Sequence, residues 1–514
     1  MKKMKWIAAL AIGMIAAACS DQNPPSGTSG TSATDSTATA TVVENDSVVR
    51  IVYNGSEVTI SAPGAIAPYL TIRQSGAHVS ITQSDELEQE ITYNLSGTST
   101  DGEFYTAGSY KATLELNGLT LTNTTPVYSG AAVHVQNGKR IDVKLITGTT
   151  NTLRDAASGE QKGALYIKGH AEFKQKGTLN VYGNVKHGIK AGEYITVKNA
   201  TINILSSVGD GINCEQYFAM ESGTVTMSNI GDDGLQCDIE ESSTGQTTDH
   251  EGEDSGNIYI SGGTITVSCQ YKGIKAEGDL TISDGLISVT SKASASSNGN
   301  HWGGDSSTSS PEAIESKGAM TITGGQIYAY SADDALNAGS HLTISGGMVY
   351  AHSTSNDGID ANGNCYIKGG LVYAISATSP EVGIDANTEG GYKLYVQGGT
   401  LVSVGGLENS ASLTQTCYQA SSWSRSTWYA LTVGNDVFAF KTPASGGSTM
   451  VVSGASTPTL QAGVSASGTG IFNGEGYYPA TATGGSSVSL SAYTGGAGGP
   501  GGGGGRPGGG GGRW

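Results

Sequence analysis

The sequence predicts an all-β protein, a single-stranded right-handed parallel β-helix with coils of about 23 residues and three strands each. Two observations support this fold class. Short runs of alternating apolar and polar residues are separated by Gly-Gly or Asp-Gly turns, as in "LTISGG" and "IYAYS". A Gly or Ala followed by an aliphatic residue also recurs along the chain, at Gly188, Gly211, Gly234, Gly273, Ala313, Ala335, Gly358 and Gly383.

These anchor positions lie 22 to 25 residues apart, except for two gaps of 39 and 40 residues. Each long gap contains a polar insertion, residues 240–256 in one and 291–311 in the other, so the underlying period is uniform. A β-propeller, the main alternative, needs roughly 40 residues per blade, which this spacing does not provide. One inward column is expected to hold branched apolar residues. Another is expected to hold small ones, with Cys214 and Cys237 as buried free thiols rather than a disulfide.

The remaining segments differ in composition. Residues 46–160 are predicted to form a β-rich N-terminal cap and the first coils, residues 161–400 the regular coils, and residues 401–490 further coils or a C-terminal cap. Residues 491–514 are Gly-rich and predicted to be disordered, because such a segment cannot bury apolar surface.

Residues 1–19 predict export. Three Lys precede an apolar run that is too short to span a bilayer and ends in small residues before Cys19. This arrangement resembles a bacterial lipoprotein signal in which Cys19 carries the lipid, and an ordinary secretory signal is the alternative. Residues 20–45 are rich in Ser, Thr, Gly and Pro, which is typical of a flexible tether. We therefore expect a membrane-anchored lipoprotein at the outer membrane or cell surface of a Gram-negative bacterium.

The chain is strongly acidic, with 45 Asp and Glu against 27 Lys and Arg and a formal net charge of −18. This balance argues against nucleic acid as a partner, because phosphates are bound by Lys and Arg. It is compatible with cations, or with ligands bridged by cations. We expect the protein to be a monomer.

Acidic residues recur in the predicted turns and would lie above one another on successive coils. Two carboxylates one rung apart repel by roughly 3–4 kcal/mol at an effective dielectric near 20, and Ca²⁺ would compensate with about six to eight oxygen ligands. Solvated Asp-Gly turns are the alternative. The predicted metal ligands form two clusters, one of Glu312, Asp333, Asp334, Asp357, Asp360 and Asp385, and the other of Asp210, Asp232 and Asp233.

Aromatic residues also fall into outward columns, with Tyr328, Tyr350 and Tyr373 in one and Tyr330 and His352 in the next. Flat exposed rings beside hydrogen-bonding groups suit the faces of pyranose sugars, and Trp302 in the second insertion could overhang the same corner. These six residues are the predicted ligand-binding set. An aromatic ladder that only stabilises the scaffold is the alternative.

The run from 139 to 197, which includes "KGALYIKG" and "KHGI", and the following "DGIN" and "DDGL" turns resemble the bacterial carbohydrate-binding β-helix family. The resemblance extends over roughly residues 50 to 440 and implies a polysaccharide-lyase-like fold, Ca²⁺, and binding of cellulose or acidic sugars rather than cleavage. It implies that Asp210, Asp233 and Asp357 are calcium ligands, and Asp334 with Ala335 in place of Gly. Lys272 and Val382 interrupt the acidic column.

Three functions remain open from the sequence. The first is a non-catalytic, calcium-dependent lipoprotein that binds a polysaccharide. The second is a calcium-dependent lyase acting on uronic-acid polymers, in which Lys272 or Lys275 would serve as the base. The third is a structural surface adhesin.

Overall fold

The computed structural model describes residues 36–44, 46–239, 255–294 and 310–495. This part of the chain is folded into β-strands and two short 3-10 helices, Ala67–Tyr69 and Phe472–Gly474. None of its helices has the length and apolarity needed to cross a membrane. Cys19 and Trp302 lie outside the described residues, as do the signal segment, most of the tether, most of both insertions and residues 496–514.

The predicted single right-handed β-helix solenoid is wrong, although the all-β class is confirmed. The described strands form a thirteen-stranded first sheet, a largely parallel second sheet that closes into a barrel, and a separate closed barrel of four antiparallel strands. The prediction assumed three independent strands in each coil. Instead, Asn257–Cys269 and Leu280–Ser291 each run unbroken through the "LTISGG"-like and the "IYAYS"-like positions of the repeat. The strands at these two positions therefore belong to one closed sheet.

From His187–Ala191 onward, the first sheet contains the strands at the Gly or Ala anchors of the repeat. Its neighbours are mostly parallel and follow one another along the chain at the repeat spacing. In spatial order its described strands are Ser36–Ala38, Leu70–Ser75, Ala77–Gln83, Gly102–Ala107, Val133–Gln136, Gly163–Ile167, His187–Ala191, Ile212–Glu215, Leu235–Asp238, Ile274–Ala276, Ile314–Ser316, Leu336–Ala338 and Ile359–Ala361.

The closed sheet contains the remaining repeat strands and antiparallel strands at both ends. In chain order its described strands are Thr41–Val43, Val49–Asn54, Glu57–Pro63, Ile91–Ser99, Ala112–Thr122, Ile141–Leu145, Thr150–Arg154, Ala171–Lys174, Thr178–Gly183, Ile195–Val197, Thr201–Ser207, Tyr217–Met220, Thr224–Ile230, Asn257–Cys269, Leu280–Ser291, Met320–Ile322, Gln326–Ser331, Leu342–Ile344, Met348–Ser353, Cys365–Ile367, Leu371–Ile375, Leu394–Val396, Thr400–Val404, Ser412–Leu413, Cys417–Ala420, Met450–Ser453 and Leu490–Tyr493.

The inward side chains of both sheets form one apolar core, and the predicted columns are confirmed. Cys214 pairs with Cys237 on neighbouring first-sheet strands, and both are buried free thiols, as are the other described cysteines. The branched column stacks in register through the closed sheet, at Ile202, Val225, Ile265, Ile287, Ile327, Val349 and Val372.

The Gly-Gly turns of the repeat have a steric cause. Gly347 has φ 78°, in the left-handed region that Gly adopts without strain. A Cβ on the preceding Gly346 would lie 2.2 Å from the carbonyl oxygen of Thr323 in the turn one repeat earlier. Close stacking of successive turns therefore requires both glycines.

The four-stranded barrel, which we call the small barrel, consists of Trp428–Val433, Asp436–Lys441, Thr459–Ile471 and Gly476–Val488. Its core includes Phe438, Phe440 and Phe472. These rings continue into a second apolar cluster with side chains of the closed sheet. The small barrel thus covers part of the closed sheet's outer face.

Candidate functional site in the acidic turns

The turn aspartates before the anchors connect each repeat to the next. One carboxylate oxygen accepts a hydrogen bond from the backbone N–H of the equivalent turn one repeat later. The N···O distances are 3.3 Å from Asp233 to Asp210, 2.8 Å from Lys272 to Asp233, 3.0 Å from Asp357 to Asp334 and 2.6 Å from Val382 to Asp357. In these four repeats Asp links successive turns through one carboxylate oxygen, and the second oxygen of Asp210 also accepts a hydrogen bond from Asn213 Nδ2.

Asp210, Asp232 and Asp233 come together as a compact carboxylate trio. One oxygen from each lies within 4.8 Å of the other two, and no other such acidic group occurs in the described ranges. Asp210 and Asp233 are buried while Asp232 is exposed. Several carboxylate oxygens converging on one point form a donor set that suits a hard cation such as Ca²⁺.

The trio is electrostatically unfavourable when all three groups are ionised. Burial, together with the charges of Asp233 and Asp232, raises the pKa of Asp210 to about 7. Burial raises the pKa of Asp233 to about 6, with the charge of Asp232 adding to the effect. The Asp210 carboxyl is consequently only partly ionised at neutral pH, and a bound cation would favour its ionised form.

Amide and basic groups border the trio on its N-terminal side. Asn213 Nδ2 donates to Asp210 Oδ2 at 2.8 Å, and Lys190 Nζ donates to Asn213 Oδ1 at 2.6 Å. Burial, with the charges of nearby lysines, lowers the pKa of His187 to about 3, so its ring is neutral. His187 Nδ1 can therefore accept the backbone N–H of Asp210 at 3.1 Å.

A second row of acids lies at the C-terminal end of the first sheet. Isolated bridges link Ile359, Ile384 and Leu407, so Asp360, Asp385 and Glu408 follow in register. The carboxyl of Asp385 is hydrogen-bonded to those of both neighbours. Burial raises the pKa of Asp360 and of Asp385 to about 6. Burial and the hydrogen bond to Asp385 raise that of Glu408 to about 8.

Glu408 was not predicted as a site residue, although the sequence contains a signal for it. The run "GGLE" repeats the pattern of "VGID" one period earlier, which places Glu408 above Asp385. The turn acids beside this row are also buried. Burial raises the pKa of Asp357 to about 7, and burial with the charges of Asp360 and Asp333 raises the pKa of Asp334 well above its usual range.

The other two predicted ligands of this cluster have protein partners. Asp333 accepts hydrogen bonds from Asn356 Nδ2 at 2.6 Å and Ser310 Oγ at 2.9 Å. Glu312 is paired with Lys272, whose Nζ lies 2.6 Å from Glu312 Oε2 and 2.7 Å from Glu315 Oε2. The structure therefore does not bring the six predicted residues to a single point.

Lys272 and Lys275 are both held in ion pairs. Lys275 Nζ lies 2.7 Å from Glu277 Oε1. Burial lowers the pKa of each lysine, but the paired carboxylates outweigh burial and raise both pKa values above the usual value of 10.5. Both ammonium groups are protonated at neutral pH, which disfavours either lysine as a proton-abstracting base.

The predicted exposed aromatic platform is wrong at Tyr350 and Tyr373. The three tyrosines do follow in register, but Tyr350 is 3% exposed and Tyr373 is fully buried. The small barrel covers them: the Tyr373 ring lies 5.1 Å from that of Phe440, and the Tyr350 ring lies 5.6 Å from that of Phe472. These two rings belong to an apolar core and cannot meet a sugar.

The rest of this aromatic group is half-buried. The rings of Tyr328 and Tyr350 stack at 4.9 Å, and those of Tyr330 and His352 meet edge to face at 5.0 Å. Burial lowers the pKa of His352 to about 4, and its Nδ1 lies 2.9 Å from the Tyr350 hydroxyl. A sugar platform here is reduced to the edges of Tyr328 and Tyr330.

Comparison with known proteins identifies the family. The model of the family described as "Carbohydrate-binding domain-containing protein" matches residues 75–358, more than half of the 514-residue chain. The chain belongs to this family. The matched range includes the carboxylate trio and ends immediately after Asp357. Membership of the carbohydrate-binding domain family supports carbohydrate as the partner.

A solved structure is also similar to this chain. It is described as the polysaccharide lyase-like protein from C. thermocellum, in a gadolinium derivative. The two are 18% identical with a TM-score of 0.37, over 57% of this chain and 96% of that chain. Comparison with curated proteins gave no match.

Proposed function

We propose that this protein is a non-catalytic, calcium-dependent carbohydrate-binding lipoprotein that recognises a polysaccharide at the acidic turns of the first sheet. The observation that carries the proposal is the trio of Asp210, Asp232 and Asp233, whose oxygens lie within 4.8 Å of one another. Family membership supports carbohydrate as the ligand, and the three carboxylates of the trio offer a donor set for the metal.

The donor set fits the proposed cation. Asp210 and Asp233 each accept a backbone N–H with one oxygen, which fixes the carboxylate plane. The second oxygen of Asp210 accepts a hydrogen bond from Asn213 Nδ2 and keeps a further lone pair for a cation. Asp232 is exposed, so its carboxylate can face both a cation and solvent. A bound Ca²⁺ would supply coordination of sugar hydroxyl or carboxylate oxygens. Asp360, Asp385 and Glu408 form a second candidate set of the same chemistry.

Binding without cleavage is favoured over the lyase function. A lyase needs a base that is deprotonated near neutral pH, and Lys272 and Lys275 are both paired with glutamates that raise their pKa values. The export and lipid attachment at Cys19 expected from the sequence are part of this proposal. They would place the binding face outside the cytoplasm.

Calorimetric titration of Ca²⁺ into chelator-treated protein tests the metal site. Asp232 is the exposed member of the trio, so its replacement should disturb the packing least. We expect micromolar binding in the wild type and at least roughly tenfold weaker binding in Asp232→Asn, because affinity follows the number of charged ligands. Asp436→Asn, which removes one charge from an exposed position of the small barrel, is the matched control. Equal affinities in all three proteins, or no heat in the wild type, would refute the site.

A further inference from the structure

The N-terminal part of the first sheet has the opposite chemistry to its acidic turns. Its outward positions carry Tyr105, His134 and Tyr166 on three neighbouring strands, with ring centroids 4.9 Å and 4.6 Å apart. Lys162 precedes and Lys168 follows the strand Gly163–Ile167 that carries Tyr166. This group of rings and ammonium groups is the basic–aromatic patch.

Lys186 joins the patch from the next strand. Gly163 pairs with His187, so the preceding residues, Lys162 and Lys186, are neighbours, and the His187 N–H donates to the Lys162 carbonyl at 3.3 Å. Both lysines are exposed, and Lys168 is half-buried. Like charges on adjacent strands destabilise a sheet unless an opposite charge compensates.

No such compensation comes from the described part of the protein. Its carboxylates form no ion pair with Lys162, Lys168 or Lys186, although Lys174, Lys190 and Lys198 of the same repeats all have acidic partners. In a chain with 45 acidic residues, two neighbouring lysines and a third at the far end of the same strand, all without an ion pair to a described carboxylate, form an unusual feature. An anion bound from solution would neutralise these charges.

The neighbouring groups would suit a sugar ring carrying that anion. Tyr166 is half-buried, and Lys162 Nζ lies 5.6 Å from the centre of its ring. His134 Nε2 is 2.9 Å from Gln136 Oε1, which orients a half-buried amide beside Lys168. Burial, with the charges of Lys162 and Lys168, lowers the pKa of His134 to about 4, so the imidazole adds no charge of its own.

We propose that Lys162, Lys186 and Tyr166 form a second, calcium-independent subsite that binds the carboxylate or sulfate of an acidic sugar directly, with Lys168 at the far end of the same strand positioned for the anionic group of another sugar. This inference rests on the proposed function and narrows its ligand to an anionic polysaccharide. The lysines pair with the anionic group, and the tyrosine ring contacts the sugar.

The position of the patch supports a single extended ligand. Lys186 is followed by His187, whose Nδ1 accepts the Asp210 N–H, so the patch and the carboxylate trio lie on consecutive strands. Neighbouring strands are about 4.8 Å apart. A chain of sugars running across the strands would contact the lysines with one ring and the calcium site with another.

Binding assays on the intact protein in chelator test the subsite without the metal. The probes are an unesterified oligogalacturonate, a sulfated oligosaccharide, and a neutral cello-oligosaccharide of the same length. We expect the wild type to bind an anionic probe weakly. The affinity of the double variant Lys162→Gln/Lys186→Gln for that probe should be about tenfold lower. The control Lys176→Gln/Lys198→Gln removes the same charge from exposed positions beside the closed sheet of the same repeats.

The outcomes separate this inference from the proposed function. Preference for the carboxylated or the sulfated probe identifies which anion the lysines recognise. Binding that appears only with Ca²⁺ and is equal in both double variants would overturn the subsite while the calcium site stands. Failure of every probe with and without Ca²⁺ would overturn both.

Discussion

At the scale of single residues, the turn aspartates combine two roles. One oxygen of Asp233 accepts the backbone N–H of Lys272, which ties one repeat to the next, and the other faces Asp210 and Asp232. The structural role explains why Asp recurs at this position even where no trio forms. A ligand role needs the further convergence of neighbouring carboxylates.

Asp233→Asn separates these roles, because an amide oxygen can still accept the Lys272 N–H while the buried charge is removed. Since burial raises the pKa of Asp233 from 3.8 to about 6, we expect calcium-free protein at pH 8 to gain about 3 kcal/mol in its free energy of unfolding. The stabilisation by added Ca²⁺ should fall at the same time. Denaturant unfolding with chelator and with Ca²⁺ measures both. A destabilised calcium-free variant would contradict this account of the trio.

Tyr373→Phe tests whether this tyrosine is part of a core or of a binding surface. Its hydroxyl donates to the Lys441 carbonyl at 2.9 Å, and loss of that buried hydrogen bond should cost about 1 kcal/mol of unfolding free energy. Glycan affinity should not change. Tyr366→Phe, at a half-buried ring stacked on Tyr395, is the control and should leave stability nearly unchanged. A large loss of glycan affinity in Tyr373→Phe would restore the platform hypothesis.

At the scale of elements, the acidic row at the end of the first sheet makes stability depend on pH. The folded-state pKa values of Asp357 and Glu408, about 7 and about 8, lie above their ordinary values of 3.8 and 4.5. The folded protein therefore binds more protons than the unfolded chain at neutral pH, and stability falls as pH rises.

We expect the melting temperature of the calcium-free protein to fall between pH 6.5 and pH 8, and we expect Ca²⁺ to abolish most of this decrease. This window avoids the buried histidines, which titrate with the opposite sign below their ordinary pKa of 6.5. Thermal unfolding at several pH values, with chelator or Ca²⁺, provides the measurement. A melting temperature that rises over this window in chelator would contradict the prediction.

The columns could be predicted from the sequence because a fixed spacing determines register. Once the period was known, the stacking of Ile202 on Val225 and of Cys214 on Cys237 followed from counting. The acids at Asp360 and Asp385 were found in the same way. Glu408 was missed because the series of anchors was ended at Gly383, although Gly406-Leu407 continues it one period later.

Contacts between distant segments could not be predicted. Nothing periodic connects Tyr373 with Phe440, and this contact decides that the tyrosine is buried. The closure of the second sheet likewise depends on strands such as Asn257–Cys269 that continue through a position where the repeat pattern predicts a break. Ion pairs such as that of Lys272 with Glu312 and Glu315 depend on side-chain directions that spacing does not supply.

At the scale of the whole molecule, the first sheet carries the basic–aromatic patch near its middle and the two carboxylate groups on the strands that follow towards its C-terminal end. The basic–aromatic patch and the carboxylate trio lie on consecutive strands, and the second acidic row follows at the C-terminal end. The small barrel covers Tyr350 and Tyr373 of the closed sheet, which removes these two rings from any binding surface.

The most direct test of the central claim is a calorimetric titration of unesterified oligogalacturonate into the intact protein, first with Ca²⁺ and then with chelator. We expect saturable binding with Ca²⁺ and an affinity at least roughly tenfold lower in chelator, and we expect the affinity to recover when Ca²⁺ is restored. Equal affinity in both conditions, or no binding in either, would contradict a calcium-dependent carbohydrate-binding protein.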